Sequence, residues 1–108
     1  MAKTYNKLIR DRIPEIIGEK GEKANVRTLT DEEFAVALAA KLVEEAKEAE
    51  AAIGDSSELV KEIGDVLEVI DAIVEHFGLN RSEIEEVKAK RLAERGGFAK
   101  KILLESVE

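Results

Sequence analysis

The chain has 108 residues, enough for one small domain with a thin core, and a formal charge of −7 with 38% charged residues. Charge of that sign disfavours a general binder of nucleic acid or anionic membrane, because the field of the whole protein repels both, although a local basic patch can still hold one phosphorylated molecule. With no cysteine there is neither a disulfide framework nor a thiolate metal site.

Met1 to Tyr5 leads into no long apolar run, so no signal-peptide core and no membrane span is expected, and a cytoplasmic location is the default. From Tyr5 to Arg12 lysine and arginine alternate with Leu8 and Ile9. Pro14 is placed as the opening residue of a short helix ending near Glu19. Gly18 and Gly21 break that pattern, and Asn25 to Leu29 reads as an extended connector. Thr30 with Glu33 forms a capping box that opens a long helix to about Ile53, before Gly54. Asp55 with Glu58 starts a second, which reaches Phe77 with Gly78 as its left-handed stop. Asn80 with Glu83 caps a third, ending at Gly96-Gly97. Lys100 to Val107 is a short tail that admits a helix and is too apolar, at Ile102, Leu103 and Leu104, to stand free in water. The apolar residues recur three and four apart and there is a single proline, so the predicted fold is all-α: a bundle of three long helices with a short N-terminal helix, in one domain over 1–108.

At about 100° per residue, Phe34, Leu38, Leu42, Ala49, Ala52 and Ile53 form one stripe of the first long helix, and Glu45 falls inside it. Lys41 and Glu48 flank the stripe, and Glu44 lies further round. On the second helix the apolar residues from Leu59 to Phe77 cover roughly half the circumference, more than a surface helix needs, so a sandwiched helix and a homo-oligomer are expected. Glu62 sits at the edge of that arc and Asp65 just beyond it. If the two helices pack, Glu44, Glu45 and Glu48 meet Glu62 and Asp65. Residues three or four apart lie on one helix face about 5–6 Å from each other. Several carboxylates at one point repel unless a cation neutralises them, and hard oxygen ligands suit Mg²⁺, Mn²⁺ or Ca²⁺. The competing reading is a solvated acidic face carrying i,i+4 pairs, of which Lys41 with Glu45 is one. The third helix places Lys88, Arg91 and Arg95 beside Ile84, Val87 and Leu92, which predicts partly desolvated cations able to hold an anionic ligand. Snorkelling or structural salt bridges are the alternatives.

The run Glu44-Glu45-Ala46-Lys47-Glu48 followed by Glu62-Ile63-Gly64-Asp65 resembles the metal-binding signature of the all-α nucleotide pyrophosphohydrolases, the superfamily of MazG, dimeric dUTPases and phosphoribosyl-ATP pyrophosphohydrolase. Both ends add to the likeness. Tyr5-Asn6-Lys7-Leu8-Ile9-Arg10-Asp11-Arg12-Ile13-Pro14 and Arg95-Gly96-Gly97-Phe98 resemble a compact MazG-like, phosphoribosyl-ATP pyrophosphohydrolase-like branch, so that the match spans nearly the whole chain. The resemblance implies Mg²⁺-dependent hydrolysis of a nucleoside triphosphate to monophosphate and pyrophosphate by a homodimer or homotetramer, with a house-cleaning role. It implies Glu45, Glu48, Glu62 and Asp65 as metal ligands and Glu44 as the group that orients the attacking water or acts as base. Lys7, Arg10, Lys88, Arg91 and Arg95 would hold the phosphates, Gly97 would let backbone amides approach them, and Phe98 or Tyr5 would stack on a base or fill the core.

Two rivals remain at this level, and a third falls. A phosphoribosyl-ATP pyrophosphohydrolase of histidine synthesis shares the signature. A non-catalytic helical dimerisation module would use the acids as salt-bridge partners. A di-iron bundle requires Glu-x-x-His pairs, and it is excluded because the only histidine, His76, follows Ile73 at that spacing. His76 itself reads as a positive charge favourable to a helix C-terminus, or as a surface residue.

Overall fold

The computed structural model describes residues 3–108; Met1 and Ala2, where the N-terminal reading begins, lie outside the described residues. Four helices and no strand occur among them: α1 (Ile13–Glu19), α2 (Asp31–Ala51), α3 (Ser56–His76) and α4 (Arg81–Arg95). Internal contacts divide the chain into two compact units, the first ending at Phe77 and the second Gly78–Glu108. No helix is long and apolar enough to cross a membrane among the described residues.

Local chemistry fixes each helix start. Thr30 accepts from the Glu33 amide at 3.2 Å while the Glu33 carboxylate accepts from the Thr30 amide at 3.1 Å, which closes the capping box and opens α2. Asp55 caps α3 through the Glu58 amide, and Asn80 caps α4 through the Glu83 amide, both at 3.2 Å. α1 has no side-chain cap and relies on Pro14 in its first turn. Gly54, at φ 102°, and Gly78, at φ 60°, supply the left-handed residues that let α2 and α3 stop.

Arg27 adds a layer at the start of α2, a contact with no local sequence signal. Its guanidinium grips both oxygens of Glu33, at 3.0 and 2.7 Å. That hydrogen bond first, and the Thr30 amide second, hold the Glu33 carboxyl down at about 2 against an ordinary 4.5. A carboxyl whose pKa is lower in the folded than in the unfolded chain contributes stability that is full above the unfolded value and is lost as pH falls through the folded one. The Arg27→Ala variant is therefore expected to melt below the wild type near neutral pH, by a modest margin because the pair is exposed. The margin should shrink as the pH drops from about 4.5 to about 2; thermal melts across that range check it, and a margin independent of pH would remove the pair from the stability of α2.

The connection 52–55 is four residues long, so α2 and α3 fold back on one another as a helical hairpin whose arms run antiparallel. This is the packing that carries the first unit. Leu38 and Val69 are buried, each fourteen residues from the near end of the connection, and Val74 is buried further along α3. Glu45 is the one buried charged residue among the described residues, at 6% exposure. It lies seven residues from Leu38, in line with it on the stripe.

Within this one chain the wide arc of α3 is covered on one side only: Val69 and Val74 are buried, but Val60, Ile63, Leu67 and Ile70, spaced three, four and three, remain exposed. Two expectations need correction. The tail is not helical, and Ile102, Leu103, Leu104 and Val107 stand open to solvent, because the backbone after Arg95 turns at Gly96 and no further helix forms. Ile53 is also exposed, since α2 ends at Ala51 and carries its stripe no further. His76 stands in the last turn of α3, the first of its two expected places, and is half-buried; its ring meets Phe34 and Phe77 edge-on at centroid distances of 4.9 and 5.0 Å.

Candidate metal centre

Glu45 lies seven residues before Ala52 and Glu62 seven residues after Asp55, so the hairpin sets them level on facing arms. Glu48, one turn along α2 from Glu45, completes a group. One carboxylate oxygen from each of the three lies within 4.8 Å of the other two. Two of these acids carry oxygens that no hydrogen-bond donor reaches although they are buried, Glu45 Oε2 and Glu62 Oε2. A buried acceptor without a donor costs free energy, of order 1–3 kcal/mol and more for a charged group, and native proteins rarely leave one without a reason. Burial pushes the Glu45 carboxyl above its usual range, and the neighbouring Glu48 pushes it further; Lys41 opposes both. A divalent cation bound between these oxygens would supply the missing partner, so the donor set fits a hard metal ion.

Glu44 is held differently. Lys7 Nζ donates to its Oε1 at 2.9 Å and Lys41 Nζ to its Oε2 at 3.3 Å, so both of its oxygens have cationic partners. Lys7 is the main reason the Glu44 carboxyl sits below the ordinary carboxylate range, and Glu44 in turn raises the Lys7 ammonium. Lys41, a mostly buried cation, also reaches Glu45 Oε1 at 3.4 Å. The i,i+4 pair read from the sequence is thus present, and it leaves Glu45 Oε2 bare. Helical pairing and inward acids coexist at one residue, one oxygen for each.

Asp65 is set apart from the three glutamates. Arg10 Nη2 donates to its Oδ1 at 2.7 Å, and both side chains remain around half exposed. Asn6, at φ 46°, bends the N-terminal segment through a left-handed turn that asparagine tolerates. Leu8 and Ile9 are half-buried there, and Lys7 and Arg10 on either side of them reach the acids of α2 and α3. These are the two N-terminal cations expected to hold phosphate. An ion pair this exposed is worth about 0–1 kcal/mol, so neither contact is costly to exchange. Tyr5, 62% exposed, is covered by Lys3 and Lys7, whose ammonium groups lie 5.1 and 5.8 Å from the ring centroid.

The remaining predicted site residues belong to the second unit. Lys88, Arg91 and Arg95 are exposed rather than partly desolvated, which corrects the sequence reading: Val87 and Leu92, the residues they share a face with, are themselves about half exposed or more. Lys88 pairs loosely with Glu85 at 3.7 Å. With Leu79, Asn80, Glu83, Ile84 and Val87, it and Arg91 border a hollow of about 360 Å³. Gly97 follows the turn after α4, where a side chain would meet Leu92 at an ordinary contact distance of 3.6 Å, and Phe98 is 98% exposed. Phe98 therefore fills no core within this chain.

Comparison with known proteins adds one relative. An uncharacterized protein of Mycolicibacterium smegmatis is 53% identical over 45 residues, which are 42% of this chain and 46% of that protein. The chain thus covers less than half the length of the curated relative it matches. No family model and no solved structure matches the chain.

Proposed function

We propose that this chain is a divalent-metal-dependent nucleotide pyrophosphohydrolase of the all-α, MazG-like kind. It would cleave a nucleoside triphosphate between the α and β phosphates to give the monophosphate and pyrophosphate, a house-cleaning activity of the cytoplasm. The observation that carries the reading is the pair of buried, donorless oxygens, Glu45 Oε2 and Glu62 Oε2, on two acids that each bring an oxygen within 4.8 Å of the other and of Glu48. In this reading Glu45, Glu48, Glu62 and Asp65 hold Mg²⁺ or Mn²⁺. When bound, such an ion supplies charge neutralisation on the polyphosphate and a more acidic water. Glu44, kept ionised by two lysines, is a poor proton acceptor and a good hydrogen-bond acceptor, so its assigned role is to orient the water. Lys7 and Arg10 take the phosphates, and Lys88, Arg91 and Arg95 of the second unit are anion-binding candidates in their own right, arginine offering paired donors. Gly97 leaves room for an anion near the backbone, and Phe98 is free to stack on a base.

The test is a screen of ordinary and damaged nucleoside triphosphates, with phosphoribosyl-ATP included, for pyrophosphate release with Mg²⁺, with Mn²⁺ and with chelator. Release that needs the metal supports the reading, and the preferred nucleotide separates house-cleaning from histidine synthesis. No release from any of them leaves a helical interaction module as the better description.

Self-association belongs to the same proposal. Val60, Ile63, Leu67 and Ile70 present an apolar stripe on α3, and a chain this small has little else with which to cover it. A homodimer through this face, or a tetramer built from it, is the expected assembly. Sedimentation should report an assembly for the wild type and a lighter species for Leu67→Glu; a wild type that stays monomeric at every concentration would refute it.

A further inference from the structure

Glu45, Glu48 and Glu62 gather where the hairpin arms meet, Glu44 and Asp65 stand on the same two helices outside that group, and three cations answer the five acids, Lys7, Arg10 and Lys41. The cations differ in kind. Lys41 is on α2 itself, mostly buried, and it fixes Glu44 and one oxygen of Glu45 from within the helix. Lys7 and Arg10 come from the irregular segment ahead of α1, are about half exposed, and each makes a single contact with one acid. That segment has no helix or strand of its own between Lys3 and Arg12. Its hold on the acids is two exposed ion pairs and the half-buried Leu8 and Ile9.

Arg10 sits on the one acid of the predicted ligand set that stands outside the three-glutamate group. A carboxylate oxygen gripped by a guanidinium at 2.7 Å is a weaker ligand for a metal ion, because the two positive charges repel and share the same lone pairs. Formal charges point the same way: with the three cations in place the five acids keep two negative charges, enough for one divalent ion. Releasing Arg10 and Lys7 adds two more.

We propose that the Lys7–Arg10 segment is a counter-ion strap in which Arg10 competes with a divalent cation for Asp65. The strap lifts from the acids when the cation binds, and its two cations turn to the anionic part of the ligand. This inference rests on the metal site of the preceding reading but not on hydrolysis. It gives Arg10 opposite effects on two ligands, hindering the metal by itself and helping a phosphate that arrives with it.

The test uses Mn²⁺ alone, titrated calorimetrically into the wild type, Arg10→Ala and Arg10→Gln, with trypsin cleavage of the wild type as a second measure. Removing the arginine charge should tighten Mn²⁺ binding by about two- to fivefold, the range expected when one exposed ion pair no longer competes. Saturating Mn²⁺ should speed cleavage after Lys7 and Arg10 relative to cleavage after Lys100 and Lys101 in the tail. Unchanged or weaker Mn²⁺ binding in both arginine variants, or slower cleavage at Lys7 and Arg10 with Mn²⁺, overturns the strap and leaves the metal site standing. A wild type that binds no Mn²⁺ overturns the metal site as well.

Discussion

Glu45→Gln should lower metal-dependent pyrophosphate release by about a hundredfold or more while the protein folds at least as well as before. Even the outer partners of metal ligands cost about 10–100-fold when removed, and a ligand itself should cost no less. Glutamine keeps the length and shape of the side chain and gives up the charge, so any loss reports on charge at Oε2 and not on packing. Stability should move the other way or not at all. Burial already disfavours the charged form of Glu45, and its Oε2 has no donor to lose. A drop in turnover with an unchanged or raised melting temperature is thus the signature of a site whose residues serve function at the expense of the fold. Should Glu45→Gln turn over normally, the donorless oxygens need another explanation and the metal assignment falls with them.

The second large effect concerns the core. Leu38 is 2% exposed and is the largest fully buried side chain, in a chain whose only other buried apolar residues among those described are Val69 and Val74. Truncating a buried leucine to alanine costs about 2–5 kcal/mol, set by how far the cavity can collapse. For a chain near this length each kcal/mol moves the melting temperature by about 4–8 °C, so Leu38→Ala should melt about 8–40 °C below the wild type. Circular dichroism on heating measures it directly. A shift corresponding to less than about 1 kcal/mol, the middle of the range for ordinary substitutions, would mean that the hairpin core is not where the stability resides and that contacts between copies carry it.

The helices were legible from the sequence because their signals are local. Thr30, Asp55 and Asn80 each cap a helix that begins at the next residue. The inward position of Glu45 was legible too, since it is seven residues from Leu38 on a stripe that repeats at that interval. What could not be read is what depends on distance along the chain. Nothing near Arg10 predicts Asp65, fifty-five positions away, or near Lys7 predicts Glu44. The only hint was a pair of apolar residues, Leu8 and Ile9, bracketed by cations in an otherwise irregular stretch. The three bases of α4 were misjudged for a related reason: periodicity shows which residues share a face, not whether anything covers it. Ile84, Val87 and Leu92 make too narrow a stripe to bury the lysine and arginines between them.

The hairpin connection 52–55 acts as a ruler. Glu45 and Glu62 are level because each stands the same seven steps from it. Adding one residue to either arm between them would turn one acid by about 100° and shift it by about 1.5 Å, out of the seam and away from its partner. Exchanging one small or apolar letter for another along the same stretch does neither. The sixteen positions between Glu45 and Glu62, Glu48, Gly54 and Asp55 apart, are accordingly open to change in spelling and closed to change in length.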